Sequence, residues 1–248
     1  MSTLEHGRYI RDLLRYSHME GAEPIGVSDL HPCLYEKSST SPLDPHYFYL
    51  NIWAAKRIIK NGAALHVDVG SKVDFVGFLT CFKKVISIDI RPIEARVENL
   101  ESRRGSILAM PFENSALQSL SCLHVAEHVG LGRYGDTLDP HGTEKAAREL
   151  SRVLAVNGDL FFAVPIGKPK LCFNAHRIHS SHQILGYFQD LDLLEFSGVD
   201  DHGLYHENLP VDALNSSNYA CGFFWFKRCS NEHSFFGTKP TRKEKRNV

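Results

Sequence analysis

The side chains best suited to chemistry in this 248-residue chain stand in short runs at the ends of apolar segments. The run His66-Val67-Asp68-Val69-Gly70-Ser71-Lys72 brings together an acid, a glycine and an ammonium group. An acid on a strand with a glycine just past it suits a nucleotide-type ligand, because the backbone must turn tightly there and the ligand lies against the helix that follows. Nineteen residues after Gly70, the run Val85-Ile86-Ser87-Ile88-Asp89 ends in a second acid. A carboxylate there accepts two hydrogen bonds from a ribose diol. It would equally cap a segment after Pro92, and it does not by itself separate NAD from another nucleoside cofactor. Lys72 stands where a further glycine is usual, and its ammonium would pair with a carboxylate or a phosphate. Farther along, Glu127 and His128 follow another apolar segment, and His176 follows the next. Histidine changes charge near neutral pH and is the natural proton carrier.

These runs need elements to hold them. Apolar stretches at 64–69, 85–90, 119–124, 159–164, 193–196 and 220–227 predict strands. Ile93, Val97 and Leu100 fall at helical spacing, as do Ala146, Ala147, Leu150, Val153 and Leu154, with Asn157-Gly158 expected to close the second of these helices. Strands alternating with amphipathic helices predict an α/β fold: a doubly wound, mostly parallel sheet with helices on both faces. An α+β fold with segregated elements is the alternative. Residues 1–62 read as an N-terminal helical cap, with one helix over 4–16 and another opened by Asp44-Pro45 and closed by Asn61-Gly62. The α/β domain then spans 63–230, and the basic run at 231–248 is expected to be a solvated, disordered tail. The aromatics Phe223, Phe224, Trp225 and Phe226 read as core strand residues.

Composition narrows the class. At 43% hydrophobic and 23% charged residues with a net charge of −1, the chain is neither disordered nor a coiled coil, and it shows no basic footprint for nucleic acid. No apolar run approaches the roughly 20 residues of a membrane span. Charges at Glu5, Arg8, Arg11, Asp12 and Arg15 exclude a signal-peptide segment there. Six scattered cysteines without a C-x-x-C pair read as reduced thiols, and together these features predict a cytoplasmic protein.

The segments GSILAMPFENS (from Gly105), LSCLHVAEHV (from Leu120) and RVLAVNGDLFFAVP (from Arg152) follow in an order that resembles class I S-adenosylmethionine-dependent methyltransferases. That family shows a Leu-Pro-Phe segment, a Glu-His after the fourth strand and an Arg-Val-Leu-x-Pro-Gly-Gly turn before the fifth. HVAEHVGLGRYGD, VPIGKPKLCFNAHRIHS and YACGFFWFKR are similar to an uncharacterised methyltransferase-like family, a domain of unknown function associated with polysaccharide and nucleotide-sugar biosynthesis. The resemblance implies S-adenosylmethionine as cofactor. Gly70 and its loop, with Lys72, would hold its methionine part, Asp89 its ribose, and Ser106 with Ile107 its adenine, Ser106 standing where an acid is usual; Asp68 and His124 are further cofactor-binding candidates. It implies methyl transfer to a hydroxyl of a carbohydrate or nucleotide sugar, with His128 or His176 as base beside Glu127. Arg133, Tyr134, Asp136 and Arg177 would bind the small-molecule or glycan acceptor.

Three other readings stand beside this one. Lys72, Asp74 and Ser106 depart from the family pattern and would suit a binding or scaffolding protein that has lost the cofactor. An NAD-dependent oxidoreductase is disfavoured by the missing glycines. A zinc hydrolase is suggested by His124-Val-Ala-Glu127-His128, which matches H-x-x-E-H. His124 ends a strand in this reading, however, which removes the i, i+4 geometry, so no metal is expected. Acceptor identity and oligomeric state are left open.

Overall fold

Side chains alternate across a strand, so a strand buried on both faces must be apolar nearly throughout. Strand 154–166 shows the effect in a computed structural model that describes residues 3–230: Leu160, Phe162, Val164 and Ile166 enter one core and Phe161 and Ala163 the other. The basic run at 231–248 lies outside the described residues.

The chain divides into two compact units, Met1–Leu43 and Asp44–Val248. The first holds helix α1 (Thr3–Ser17), a short 3-10 turn at Val27–Asp29 and irregular chain, with Arg8 bonded to Glu5 and to the Leu34 carbonyl. The expected boundary after residue 62 thus falls at 43/44. Helix α2 (Pro45–Lys60) goes with the sheet because its Leu50, Trp53, Ala54 and Ile58 are buried in one core with Val85, Phe161 and Phe223. Asp44 caps α2 by accepting from the amides of His46 and Tyr47, and Asn61 ends it, as the sequence implied.

The second unit continues β1 (Leu65–Val69), α3 (Val73–Leu79), β2 (Lys84–Asp89), β3 (Leu100–Arg104), β4 (Leu117–Leu123), α4 (Gly142–Val153), β5 (Leu154–Ile166), β6 (Lys170–Cys172), β7 (His176–Ile178), α5 (Ser181–Tyr187), β8 (Asp192–Val199), β9 (Tyr205–His206) and β10 (Ala220–Lys227). The large sheet has the order β3-β2-β1-β4-β5-β10-β8-β9. The strands from β3 to β5 pair in parallel, while β10 runs antiparallel between β5 and β8. Helices α2 and α3 bury one face; α4 and α5 bury the other. This is the doubly wound, mostly parallel fold expected. Its strand order reverses between β1 and β4, and a ligand crevice forms beyond the carboxyl ends of strands at such a switch point.

Two local expectations are corrected. Ile93, Val97 and Leu100 form no helix: 92–97 is irregular, and Leu100 opens the polar edge strand β3. Their helical spacing is coincidental, and Pro92 cannot donate to a helix. Asn157-Gly158 does not close α4, which stops at Val153. Asn157, at φ 62°, and Gly158 instead form an irregularity within β5, where its pairing with β4 shifts. No helix among the described residues is long and apolar enough to cross a membrane.

Candidate functional site

Where β1 ends, the chain turns at once through Gly70, at φ 65°. A Cβ there would meet Val125 Cγ1 at 3.2 Å and Asp89 Oδ2 at 3.4 Å, so position and conformation both favour glycine. Below the turn Asp68 is fully buried. It accepts from the Ser71 amide at 3.1 Å, from Ser71 Oγ at 2.6 Å and from Ser121 Oγ, and so hooks the loop to the strands. Ser121 Oγ in turn lies 2.9 Å from His66 Nε2, and His66 Nδ1 lies 2.7 Å from Ser119 Oγ, which accepts from Asn61 Nδ2 at 2.7 Å. Every hydroxyl is satisfied if neutral His66 carries its proton on Nε2. Neutrality follows from burial, which with Lys83 nearby pushes His66 down to about 3. Burial pushes Asp68 up to about 6 against the lowering effect of its serine partners.

Above this layer opens a crevice of about 1220 Å³. Beside it lies a narrower recess walled by Ile88, Ile107, Val125 and Val129, with Ser106 at its edge. Asp89 borders both. Its Oδ1 accepts from the Arg91 amide at 2.7 Å, and its Oδ2 faces the Gly70 turn. Ser106 Oγ accepts from the Leu108 amide at 3.1 Å and braces its own turn. The Lys72 ammonium stands 3.4 Å from the centre of the Tyr47 ring, a cation–π contact at the crevice wall.

The β4 side of the crevice is built from histidines. His124 stands just past the last residue of β4, at φ 58°, a conformation uncommon for residues other than glycine but one that histidine adopts more often than most. Its Nδ1 is 2.9 Å from Glu127 Oε1 and its Nε2 3.0 Å from Cys221 Sγ. Burial disfavours charge on both His124 and Glu127, but Cys221 and then Glu127 hold His124 above its ordinary value, and His124 holds Glu127 below its own. In the 3-10 turn Ala126–His128, His128 Nδ1 lies 2.6 Å from the Ala175 carbonyl, a contact that requires the proton on that nitrogen and leaves Nε2 as the basic one. Nε2 lies 3.7 Å from Glu127 Oε1, so a proton taken up there meets a carboxylate. His176 packs against Tyr219 at 5.0 Å, and burial holds its imidazole below the ordinary value. His46 stacks 6.0 Å from His124 and is held down by burial and by that neighbour. Tyr47, pushed up to about 12 by burial and then by Glu127, lies 5.1 Å from the same ring.

The structure gathers most of the expected residues in one place. Gly70, Lys72, Asp89, His124, Glu127, His128, Arg133, Tyr134 and His176 border the crevice, and Ser106, Ile107 and Asp136 the recess. Asp68 lies beneath the loop, out of reach of a ligand. Arg177 faces no acceptor: its guanidinium donates to the carbonyls of Val129 at 2.6 Å and Asp139 at 2.9 Å, pinning the 130–142 loop. Asp136 is engaged similarly by the amides of Gly130 and Tyr134. The zinc-peptidase geometry is absent, because His124 lies just past strand β4 and His128 closes a 3-10 turn, so they share no helical face. His46, Tyr47, Tyr219 and Cys221 are additions. Asp44-Pro45 already marked the helix start that carries the first two, and YACGFFWFKR contained the others.

A family model described as "Caenorhabditis protein of unknown function, DUF268" matches residues 68–210. No curated protein matches the sequence. Among solved structures, the N-methyltransferase NodS from Bradyrhizobium japonicum WM9 in complex with S-adenosyl-L-homocysteine is 13% identical at a TM-score of 0.52, covering 89% of this chain and 98% of that one. Geranyl diphosphate C-methyltransferase from Streptomyces coelicolor A3(2) is 14% identical at 0.52, covering 73% and 80%. The [4+2]-cyclase SpnF is 12% identical at 0.52, covering 73% and 81%. At such identities the likeness is one of fold. It extends to a cyclase as well as to methyltransferases, so the reaction must be argued from the site.

Proposed function

The chain belongs to the DUF268 family, and we propose that it transfers the methyl group of S-adenosylmethionine to a hydroxyl of a carbohydrate or nucleotide-sugar acceptor. The observation that carries this reading is His128, whose Nδ1–H is committed to the Ala175 carbonyl while Nε2 stays basic beside Glu127, in one crevice with Gly70 and Asp89. A base and a nucleoside-type site in a single cavity are what transfer to a hydroxyl requires.

The residues present fit the cofactor. Gly70 lets a ligand approach the main chain, Asp89 Oδ2 can accept from a ribose hydroxyl, and Ile88, Ile107, Val125 and Val129 form an apolar slot for a flat ring. Lys72 offers positive charge for a carboxylate. When bound, S-adenosylmethionine supplies a methyl group already activated by its sulfonium. The chain's own contribution is then to orient the acceptor and take up its proton at His128 Nε2, with His176 as the other candidate. Arg91 and Arg133 flank the Tyr134 ring at 4.5 and 5.1 Å and give the acceptor end a positively charged, aromatic wall suited to a polar or anionic sugar derivative.

A second reading, a methyltransferase-like binding protein without cofactor, draws on Lys72 being engaged with Tyr47 and Ser106 with its own turn. Calorimetric titration of the whole chain with S-adenosylhomocysteine separates the two. One-site binding is expected, and NADH should give no heat. Absence of binding by S-adenosylhomocysteine, with heat from a nucleotide sugar alone, would reverse the preference.

A further inference from the structure

We propose that His46, His124 and Cys221 form a mononuclear site for a thiophilic divalent cation, foremost zinc, at the inner wall of the crevice. The three come from separate places in the fold: the first turn of α2, the residue just past β4 and the second residue of β10. One ligating atom from each lies within 4.8 Å of the others. Zinc bonds of about 2.0–2.3 Å in tetrahedral array place neighbouring ligand atoms about 3.5 Å apart. The 3.0 Å separation between His124 Nε2 and Cys221 Sγ therefore needs only a small opening.

The donor set selects the ion. A thiolate with two imidazoles suits zinc or copper, and it does not suit magnesium or calcium, which take oxygen ligands. The orientation of His124 is what a ligating histidine requires. Its Nδ1 faces Glu127 Oε1 at 2.9 Å, which leaves Nε2 for the metal, and an outer carboxylate of this kind fixes the ring and raises its basicity. Glu127 is 1% exposed, and its other oxygen is buried without a partner. A buried histidine held between a buried acid and a thiol would be an expensive way to fill a core.

Access decides the class of site. Cys221 and His124 are buried, whereas His46 borders the crevice together with Tyr47 and Tyr219. Three protein ligands with one side open toward a cavity is the arrangement of catalytic zinc, in contrast to the closed four-ligand structural kind. The open position would take an oxygen or sulfur atom of an acceptor. The set differs from the H-x-x-E-H pattern, since His128 is turned to the Ala175 carbonyl and Cys221 replaces it. A Cys–His–Glu nucleophile uses the same three side chains, but Cys221 is fully buried and offers no approach to a substrate carbon. Metal binding here does not depend on the methyl-transfer reading.

The whole chain, stripped with a chelator, is titrated with cobalt(II) and then zinc. One cobalt per chain is expected, with a thiolate-to-cobalt charge-transfer band that zinc displaces. Cys221→Ser should abolish the band. Glu127→Gln should keep it while weakening affinity by about 10–100-fold, the worth of an outer-shell partner. Cys81→Ser, at an exposed thiol, should change nothing. Absence of the band, its survival in a folded Cys221→Ser protein, or its loss in Cys81→Ser would overturn the proposal. If Cys221→Ser does not fold, His46→Ala decides, because that residue is only partly buried and unchanged affinity there also overturns it. Titration with S-adenosylhomocysteine in the absence of metal shows separately whether the cofactor reading stands.

Discussion

At the β1–β2 end of the crevice, the ligand-facing surface is the Gly70 turn, the Asp89 carboxylate and the apolar recess walled by Ile88, Ile107, Val125 and Val129. At the β4–β10 end it is side chain: His46, His124, His128 and His176, with Glu127 between them. The first end recognises by shape and hydrogen bonding, and its groups need not change protonation. The second holds several imidazoles around one carboxylate, so moving a proton or losing a partner there alters its neighbours. Damage at the first end should show as binding, and damage at the second as rate.

The largest effect should come from the second end. His128→Ala is expected to lower methyl transfer by about 10²–10⁴-fold, the usual worth of a positioned base, with affinity for S-adenosylhomocysteine nearly unchanged. His176→Ala serves as control, and equal losses from both would blur the assignment of a single base. At the first end, Asp89→Ala should cost about 1.5–3 kcal/mol of S-adenosylhomocysteine affinity by calorimetry, the range for hydrogen bonds to a charged group, without unfolding. Full affinity in a folded variant would take Asp89 out of the site.

The layer beneath the first end yields a pH test. His66 is depressed, so its contribution to stability is complete above its unfolded value near 6.5 and is lost as pH falls toward 3. Asp68 is raised, so its contribution is present below its unfolded value near 3.8 and is lost as pH rises through about 6. On acidification from pH 7 to 3 the two contributions oppose each other, His66 removing stability and Asp68 returning some of it. Denaturant melts of wild type and His66→Gln should diverge in that window, with the variant losing less; parallel curves would mean His66 titrates normally. The smallest effect belongs to Lys72→Ala. It should remove a cation–π contact worth about 0.5–1 kcal/mol and make S-adenosylmethionine binding weaker and less salt-dependent. A change in thermal stability with unaltered affinity would make Lys72 a prop for Tyr47 alone.

The difference between the two ends also explains what could be read in advance. Gly70 and Asp89 were legible because a tight turn after a strand restricts residue type locally, and β10 was legible because a doubly buried strand has to be apolar. Strand β3, with sequence LESRR, was hidden by its exposed edge position. Arg177 misled because a guanidinium that holds backbone carbonyls looks in sequence like one that awaits an anion. His124 and Cys221 are 97 residues apart, and no periodicity links them. Their meeting is a product of β10 returning antiparallel beside β5, which turns its second residue toward the end of β4.

The polar row through the sheet also has a geometric consequence. His66 and Asp68 on β1 face Ser119 and Ser121 on β4, with Asp68 aligned to Ser121. Sliding β4 by one residue would bring Leu120 opposite and strand an imidazole and a carboxyl in apolar surroundings, at a cost of several kcal/mol. An all-aliphatic pair of strands would resist such a slip far less. The row therefore acts as a notch that indexes β4 against β1 and fixes how far the 124–128 segment projects beyond the sheet relative to Gly70. The gap across which a methyl group would travel is set by four side chains that no ligand touches.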